Sequence, residues 1–320
     1  MREWDIMREW DMWMPSGGGR RPVLIVDTMK ADPELEEVLR IARAAERRVR
    51  AIYATDFTVE LKGPGDPVTR ADREASDIIC ESLAASFPGD AILSEEGVPQ
   101  DPAEVARLVA SRRVWFVDPL DGTREFTEHI GQFAVMIGLA VAGRAVLGAV
   151  VMPADGEAIA GRIGGPAFAE DAPGARRRPL SVSAVSDPRD ATIVVSRSHR
   201  PPLLDTLLDH LGVGSVVPCG FVGVKVARLV LGQADLYVHD GGGAKRWDTC
   251  GPEAVLTAAG GRMSDLDGAS IDYRSDDLVL RSGIVATNGA LHEAVLSAVA
   301  ASRERAAAAR SYDRHVTKGS

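Results

Sequence analysis

The stretch "WFVDPLDGTREF", residues 115–126, passes from apolar to anionic within four residues and then spends a glycine and a threonine. The apolar run Val114–Val117 reads as a buried strand that ends at Asp118. Pro119 has no N–H to give to a ladder and holds the chain in a turn, which brings Asp121 round to the same point as Asp118. Two bare carboxylates sharing one site repel, and one of them would take up a proton, so their natural partner is a hard cation. Gly122 and Thr123 then let the backbone approach closely and present N–H groups at the start of a short helix, where a phosphate oxygen can sit. The same residues also favour an ordinary turn, so this short pattern alone leaves both readings open.

Two other stretches bear on the choice. "AILSEEG", residues 91–97, ends a second short strand in Glu95 and Glu96. "RWDTCGPEAVLTAAGG", residues 246–261, places Asp248 at an expected helix N-cap, Pro252 in the first turn and Gly260 at the close. Taken singly, these are solvated acids after a strand and a helix cap. Taken with the turn at Asp118, they supply four acids at element ends, enough to hold two or three Mg²⁺ ions whose shells are completed by water and substrate oxygens.

The chain of 320 residues is 45% apolar and 26% charged, long enough for a sizeable core and about two domains. No run approaches the length of a membrane span, and the first residues lack the apolar core of a signal peptide, so the expected location is the cytoplasm, without membrane insertion. A formal charge of −9 argues against a nucleic-acid polymer as partner, but an anionic small molecule remains compatible if metal ions import the positive charge. Cys80, Cys219 and Cys250 are scattered without zinc-type spacing and read as reduced structural thiols.

Residues 1–30 repeat MREWD and run into a Ser-Gly-Gly-Gly stretch, and are expected to be a disordered or artefactual extension. Helical spacing begins at Asp32-Pro33, and a second amphipathic helix is expected after Asp72. The strands "AILSEE", "RVWFVD" and "EAIAGRIGGPAFAE" follow, with a hairpin turning at Ala142-Gly143-Arg144. After "SVSAVSDPRDA" strands alternate with helices, the last helix starting near Ala290. The grammar predicts an α+β domain over 31–186, an α/β domain over 187–303 and a flexible tail over 304–320.

The ordered set "DPVTRAD", "LSEEG", "DPLDGT" and "WDTCGPEAVLTAAGG" resembles the inositol monophosphatase-like superfamily of Mg²⁺-dependent, Li⁺-sensitive phosphatases over nearly the whole chain from about Asp32. The resemblance implies a two-domain αβαβα sandwich. It also implies Mg²⁺ held by Glu95, Asp118, Asp121, Asp248 and the carbonyl of Leu120, two to three ions in all and inhibition by Li⁺. Asp72 and Thr123 would orient and deprotonate the attacking water, and the N–H groups of Gly122 and Thr123 would hold the phosphate. Homodimerisation is left open.

"DGTREF" and "VSRSHR", residues 195–200, are similar to the 3'(2'),5'-bisphosphate nucleotidases of the CysQ type within that superfamily. By that similarity Ser198, His199 and Lys225 would contact a phosphorylated nucleotide, although Phe221 and Val222 stand where serine is common. The implied reaction is hydrolysis of 3'-phosphoadenosine 5'-phosphate, and of its sulfated form, to the 5'-nucleotide and phosphate. The alternatives are an inositol monophosphatase or fructose-1,6-bisphosphatase activity, which a shared core permits, and a non-catalytic binder. A binder would be expected to have lost one of the acids or Thr123, and all are present. No cysteine has a recognisable partner base, and the chain lacks the P-loop signature.

Overall fold

Helix α1 (Pro33–Tyr53) starts where the sequence places it: the Asp32 carboxylate accepts from the N–H groups of Glu34 and Leu35, with Pro33 in the first turn. Its apolar stripe, including Val38, Ala42, Ala45 and Val49, is fully buried. The computed structural model describes residues 32–63, 66–197 and 202–316, so the expected extension at 1–30 lies outside the described residues, as do Ser198 and His199. A two-stranded ribbon, β1 (Val59–Gly63) and β2 (Asp66–Thr69), leads into α2 (Arg70–Ser86). That helix begins at Arg70, two residues before Asp72, because Thr69 serves as its N-cap.

A seven-stranded sheet follows: β3 (Ala91–Ser94), β4 (Arg113–Asp121), β5 (Ala134–Val141), β6 (Arg144–Met152), β7 (Glu157–Arg162), β8 (Ala167–Glu170) and β9 (Arg178–Pro179), in that spatial order. The β3–β4 pair is parallel and every other pair antiparallel. The β5–β6 hairpin turns at Ala142-Gly143, both with positive φ, as the tight turn requires. "EAIAGRIGGPAFAE", read as one strand, is two strands broken at Gly164-Gly165. Helix α3 (Pro102–Val109) joins β3 to β4, and the short α4 (Thr123–Thr127) follows β4.

The second sheet has the order β11-β10-β12-β14-β13, built from β10 (Thr192–Ser196), β11 (Ser215–Cys219), β12 (Leu236–His239), β13 (Arg262–Ser264) and β14 (Ile284–Thr287). Helices α1 and α2 pack on the first sheet; α6 (Val222–Val230) and α7 (Arg246–Ala258) lie between the two sheets; α5 (Pro202–Leu211) and α8 (His292–Val316) close the second. The result is the αβαβα sandwich. Helix α8 runs on to Val316, through much of the stretch expected from residue 304 as a tail. Cys80, Cys219 and Cys250 are free thiols. Among the described residues no helix is long and apolar enough to cross a membrane.

Helix α7 meets the first sheet backbone to backbone. A Cβ on Gly138 of β5 would stand 2.2 Å from the Gly251 nitrogen, and one on Gly148 of β6 would stand 2.1 Å from the Gly251 oxygen. Three glycines therefore set how deeply α7, and the Asp248 it carries, sits against the strands. Gly148→Ala is expected to cost roughly 2–3 kcal/mol of unfolding free energy in urea titration, as overpacking does. Loss of less than about 0.5 kcal/mol would contradict this close approach.

Candidate active site

The strand β4 does not end at Asp118. It continues through Asp121, and its register against β5 slips between the two: Asp118 faces Met136, whereas Asp121 faces Ala134. Three steps on β4 match two on β5, so one extra residue is absorbed as a bulge. Without it, residues three apart would point to opposite faces; with it, both aspartates share one face. The Pro119 turn expected from sequence is therefore a bulge, and the proline lies where the ladder is already broken. Both carboxylates are buried, Asp118 at 2% and Asp121 at 5% exposure.

Each acid is pinned by a main-chain N–H. Asp118 Oδ1 accepts from the Leu120 N–H at 3.0 Å, and Asp121 Oδ2 accepts from the Gly223 N–H, at the start of α6, at 2.7 Å. A Cβ on Gly223 would sit 2.8 Å from that same oxygen, so the approach needs glycine. Asp248 is not the N-cap of α7 but its third residue; Lys245 is the cap, and its N–H donates to Asp248 Oδ2 at 2.8 Å. Pro252 stands inside the helix, not in its first turn, and has no N–H to donate to the Asp248 carbonyl. Asp72 likewise occupies the third position of α2, where Oδ2 accepts from both the N–H and the hydroxyl of Thr69 at 2.8 Å.

Thr123 joins Asp72 to the end of β4. Its hydroxyl lies 2.7 Å from Asp72 Oδ1 and 3.2 Å from the Leu120 carbonyl, which places the expected dyad together. Gly122, the N-cap of α4, has φ of +97°, and a Cβ there would come 2.9 Å from the Gln132 carbonyl. No other residue fits that position at low strain. Glu95 follows β3, whose Ser94 pairs with Val117 of β4, so it emerges beside Asp118. The ammonium of Lys62, from β1, sits 2.8 Å from Glu95 and 2.7 Å from Glu96.

Electrostatics tie the four acids into one group. Burial, then the charges of Glu95, Asp121 and Asp248, push Asp118 well above the ordinary carboxylate range. Burial, then Asp121, does the same to Asp248. Asp121 is pushed up to about 7, chiefly by burial, against the lowering effects of the Gly223 N–H and the Lys225 charge. Burial raises Glu95 against the pull of Lys62. Burial also raises Asp72.

Among the described residues, no three His, Cys, Asp or Glu side chains close on one point tightly enough to hold a metal as they stand. The case for a cation rests instead on donor chemistry. Four carboxylates and a carbonyl, oxygen throughout, mutually repelling and partly or fully buried, suit a hard ion such as Mg²⁺.

Lys225, expected to meet substrate, is 3% exposed; its ammonium hydrogen-bonds Ser196 Oγ at 3.0 Å and lies over the Tyr237 ring at 4.9 Å. Burial holds its pKa below the usual lysine value. Thr69, Gly223 and Lys62 were missed in the sequence reading. Thr69 was findable, since T-x-x-D in "VTRAD" is a capping-box spacing; the other two are long-range contacts with no local signal.

A sandwich of this layering, with acids converging at the ends of β3 and β4 and the start of α7, is the fold of a class of phosphatases. The profile of the inositol monophosphatase family matches residues 32–304. The chain belongs to that family, whose members generally use Mg²⁺. It is similar to the human 3'(2'),5'-bisphosphate nucleotidase 1, 31% identical with 77% of this chain and 88% of that protein covered. It is also similar to the Salmonella typhimurium 3'(2'),5'-bisphosphate nucleotidase CysQ, 34% identical over 79% of this chain and 99% of the relative. Among solved structures, the Bartonella henselae extragenic suppressor protein suhB has a TM-score of 0.69 at 27% identity, covering 83% of this chain and 98% of that one. The Thermotoga maritima IMPase, at 22% identity, reaches 0.70 over 85% and 99% and supports the fold alone.

Because the folded-state pKa of Asp121 is raised from 3.8 to about 7, its protonated form favours folding. That contribution is complete below about pH 4 and is lost as pH rises through 7. In chelator, Asp121→Asn is expected to exceed the parent in unfolding free energy by on the order of 2–4 kcal/mol at pH 8, the gap narrowing toward pH 4. Denaturation curves with parallel pH dependence for the two proteins would contradict the assignment.

Proposed function

We propose that this chain is a Mg²⁺-dependent phosphomonoesterase whose substrate is a 3'(2'),5'-bisphosphate nucleotide, 3'-phosphoadenosine 5'-phosphate first and its sulfated form second. The observation that carries the catalytic part is the Asp72–Thr123 pair set beside four acids that desolvation raises, two of them, Asp118 and Asp121, buried. The nucleotide part rests on similarity to relatives named for that activity.

Glu95, Asp118, Asp121, Asp248 and the Leu120 carbonyl would hold the ions. Mg²⁺ in such a site neutralises phosphoryl charge and lowers the pKa of water. The remaining work belongs to the chain. The Thr123 hydroxyl, with its proton directed to Asp72 Oδ1, presents a lone pair to the attacking water and sets its line of approach. The proton that water releases passes by way of Thr123 toward Asp72, whose raised pKa makes it a better acceptor than an exposed aspartate. Thr69 fixes the other Asp72 oxygen, so the base cannot turn away. The N–H groups of Gly122 and Thr123 hold the phosphate, and the left-handed glycine aims them.

A second phosphate needs its own polar seat. Ser198, His199 and Lys225 are its candidates: the first two lie outside the described residues, and the buried Lys225 reaches the surface through Ser196. The acid cluster by itself asks only for a phosphate ester, so inositol 1-phosphate is the competing substrate that the fold allows.

With Mg²⁺, phosphate release from 3'-phosphoadenosine 5'-phosphate is expected to exceed that from inositol 1-phosphate and fructose 1,6-bisphosphate by at least about tenfold in kcat/KM, and Asp72→Asn is expected to lower kcat about 10²–10⁴-fold with little change in KM. A preference for inositol 1-phosphate would overturn the nucleotide assignment; an active Asp72→Asn would overturn the dyad.

A further inference from the structure

Phe221 is unusual on this surface. Of the exposed large hydrophobic side chains among the described residues, Val59, Leu61, Ile163, Val216 and Phe221, it is the one aromatic, at 38% exposure. It caps α6 without any side-chain hydrogen bond, a task that serine, threonine or aspartate performs better. An exposed ring at a cap position is a local cost without a local benefit, which points to a ligand.

Its place relative to the site follows from two independent routes. Along the chain, Phe221 stands two residues before Gly223, whose N–H meets Asp121, so its Cα lies within about 7 Å of the Gly223 Cα. Across the chain, the preceding Gly220 is pressed on Gln132, where an added Cβ would come 3.1 Å from the glutamine Cβ and carbonyl oxygen. That same carbonyl backs Gly122, the residue assigned to the phosphate. Phe221 thus stands close in the fold to both Asp121 and Gly122, and it is exposed to solvent. Arg197, exposed directly after β10, reaches the same glutamine and donates to Gln132 Oε1 at 3.2 Å. An exposed aromatic ring, a guanidinium and a phosphate seat gathered around Gln132 match a phosphorylated aromatic base, whereas a polyol has no π-face to stack.

We propose that Phe221 is a specificity-determining residue that stacks on the nucleobase of the substrate. The inference rests on the nucleotide reading above and names the side chain that enforces it. Stacking on a ring is sequence-tolerant and acts on the bound ground state as much as on the transition state, so it sets KM rather than kcat.

The test uses the full chain with Mg²⁺ and four probes: 3'-phosphoadenosine 5'-phosphate and inositol 1-phosphate as substrates, adenosine 5'-phosphate and inorganic phosphate as inhibitors. Phe221→Ala is expected to raise KM for the nucleotide, and the inhibition constant of adenosine 5'-phosphate, about tenfold with kcat within about twofold. Inositol 1-phosphate and inorganic phosphate should be unaffected, and Phe221→Trp should restore the nucleotide values. Equal losses on all four probes would show a structural role and overturn the proposal, as would a change of elution volume in size exclusion that places the ring in a contact between copies. A parent enzyme that prefers the nucleotide, with the preference surviving Phe221→Ala, overturns this inference alone. A parent enzyme with no nucleotide preference overturns the underlying reading, and this inference falls with it.

Discussion

Four carboxylates that repel one another are held together, two buried and two partly buried, and much of the architecture around them serves to keep them there. None is free to swing away: Asp118, Asp121 and Asp248 each give one oxygen to a main-chain N–H, and Glu95 is pinned by the Lys62 ammonium. An N–H bond to the charged form offsets part of the desolvation cost without adding a mobile counterion. What it does not offset appears as the raised pKa values of the cluster. The folded chain thus stores an unfavourable charge arrangement that a hard cation relieves, as expected where stability is traded for function.

The same economy recurs at two helix starts. Asp72 in α2 and Asp248 in α7 both sit at the third helical position, each with one oxygen turned back to its own N-cap N–H. A helix terminus is a rigid platform, and its positive end favours the ionised acid. The depth of α7 is in turn set by Gly138, Gly148 and Gly251, so three residues with no side chain determine where Asp248 stands.

The sequence showed which residues matter more clearly than how they are held. The Asp32 cap, the Ala142-Gly143 hairpin and the four acidic motifs were legible because each is a local pattern with a local cause. The Asp118–Asp121 geometry was not, since a turn and a bulge use the same Pro-x-Asp-Gly residues and only pairing with β5 distinguishes them. The site acids at helix starts, Asp72 and Asp248, were both read as standing at the cap when they stand three positions further in, for a similar reason: aspartate suits both places, and the real caps are Thr69 and Lys245. Strands β1, β2, β9, β11 and β13 went unnoticed. The first is mostly exposed, the first two lack an alternating apolar pattern, β9 and β13 are only two and three residues long, and β11 carries Pro218, tolerated because it is an edge strand. Contacts such as Lys62 with Glu95 span 33 positions and leave no trace in a local window.

If the acid cluster is a cation site, filling it must expel the protons that burial, and then mutual repulsion, favour there. The direct measurement is calorimetric titration of chelator-treated protein with Mg²⁺ near pH 7, repeated in buffers of different ionisation enthalpy to count protons. The account requires saturable binding with net proton release, and a smaller release from Asp121→Asn. Absence of Mg²⁺ binding, or binding without proton release, would contradict it.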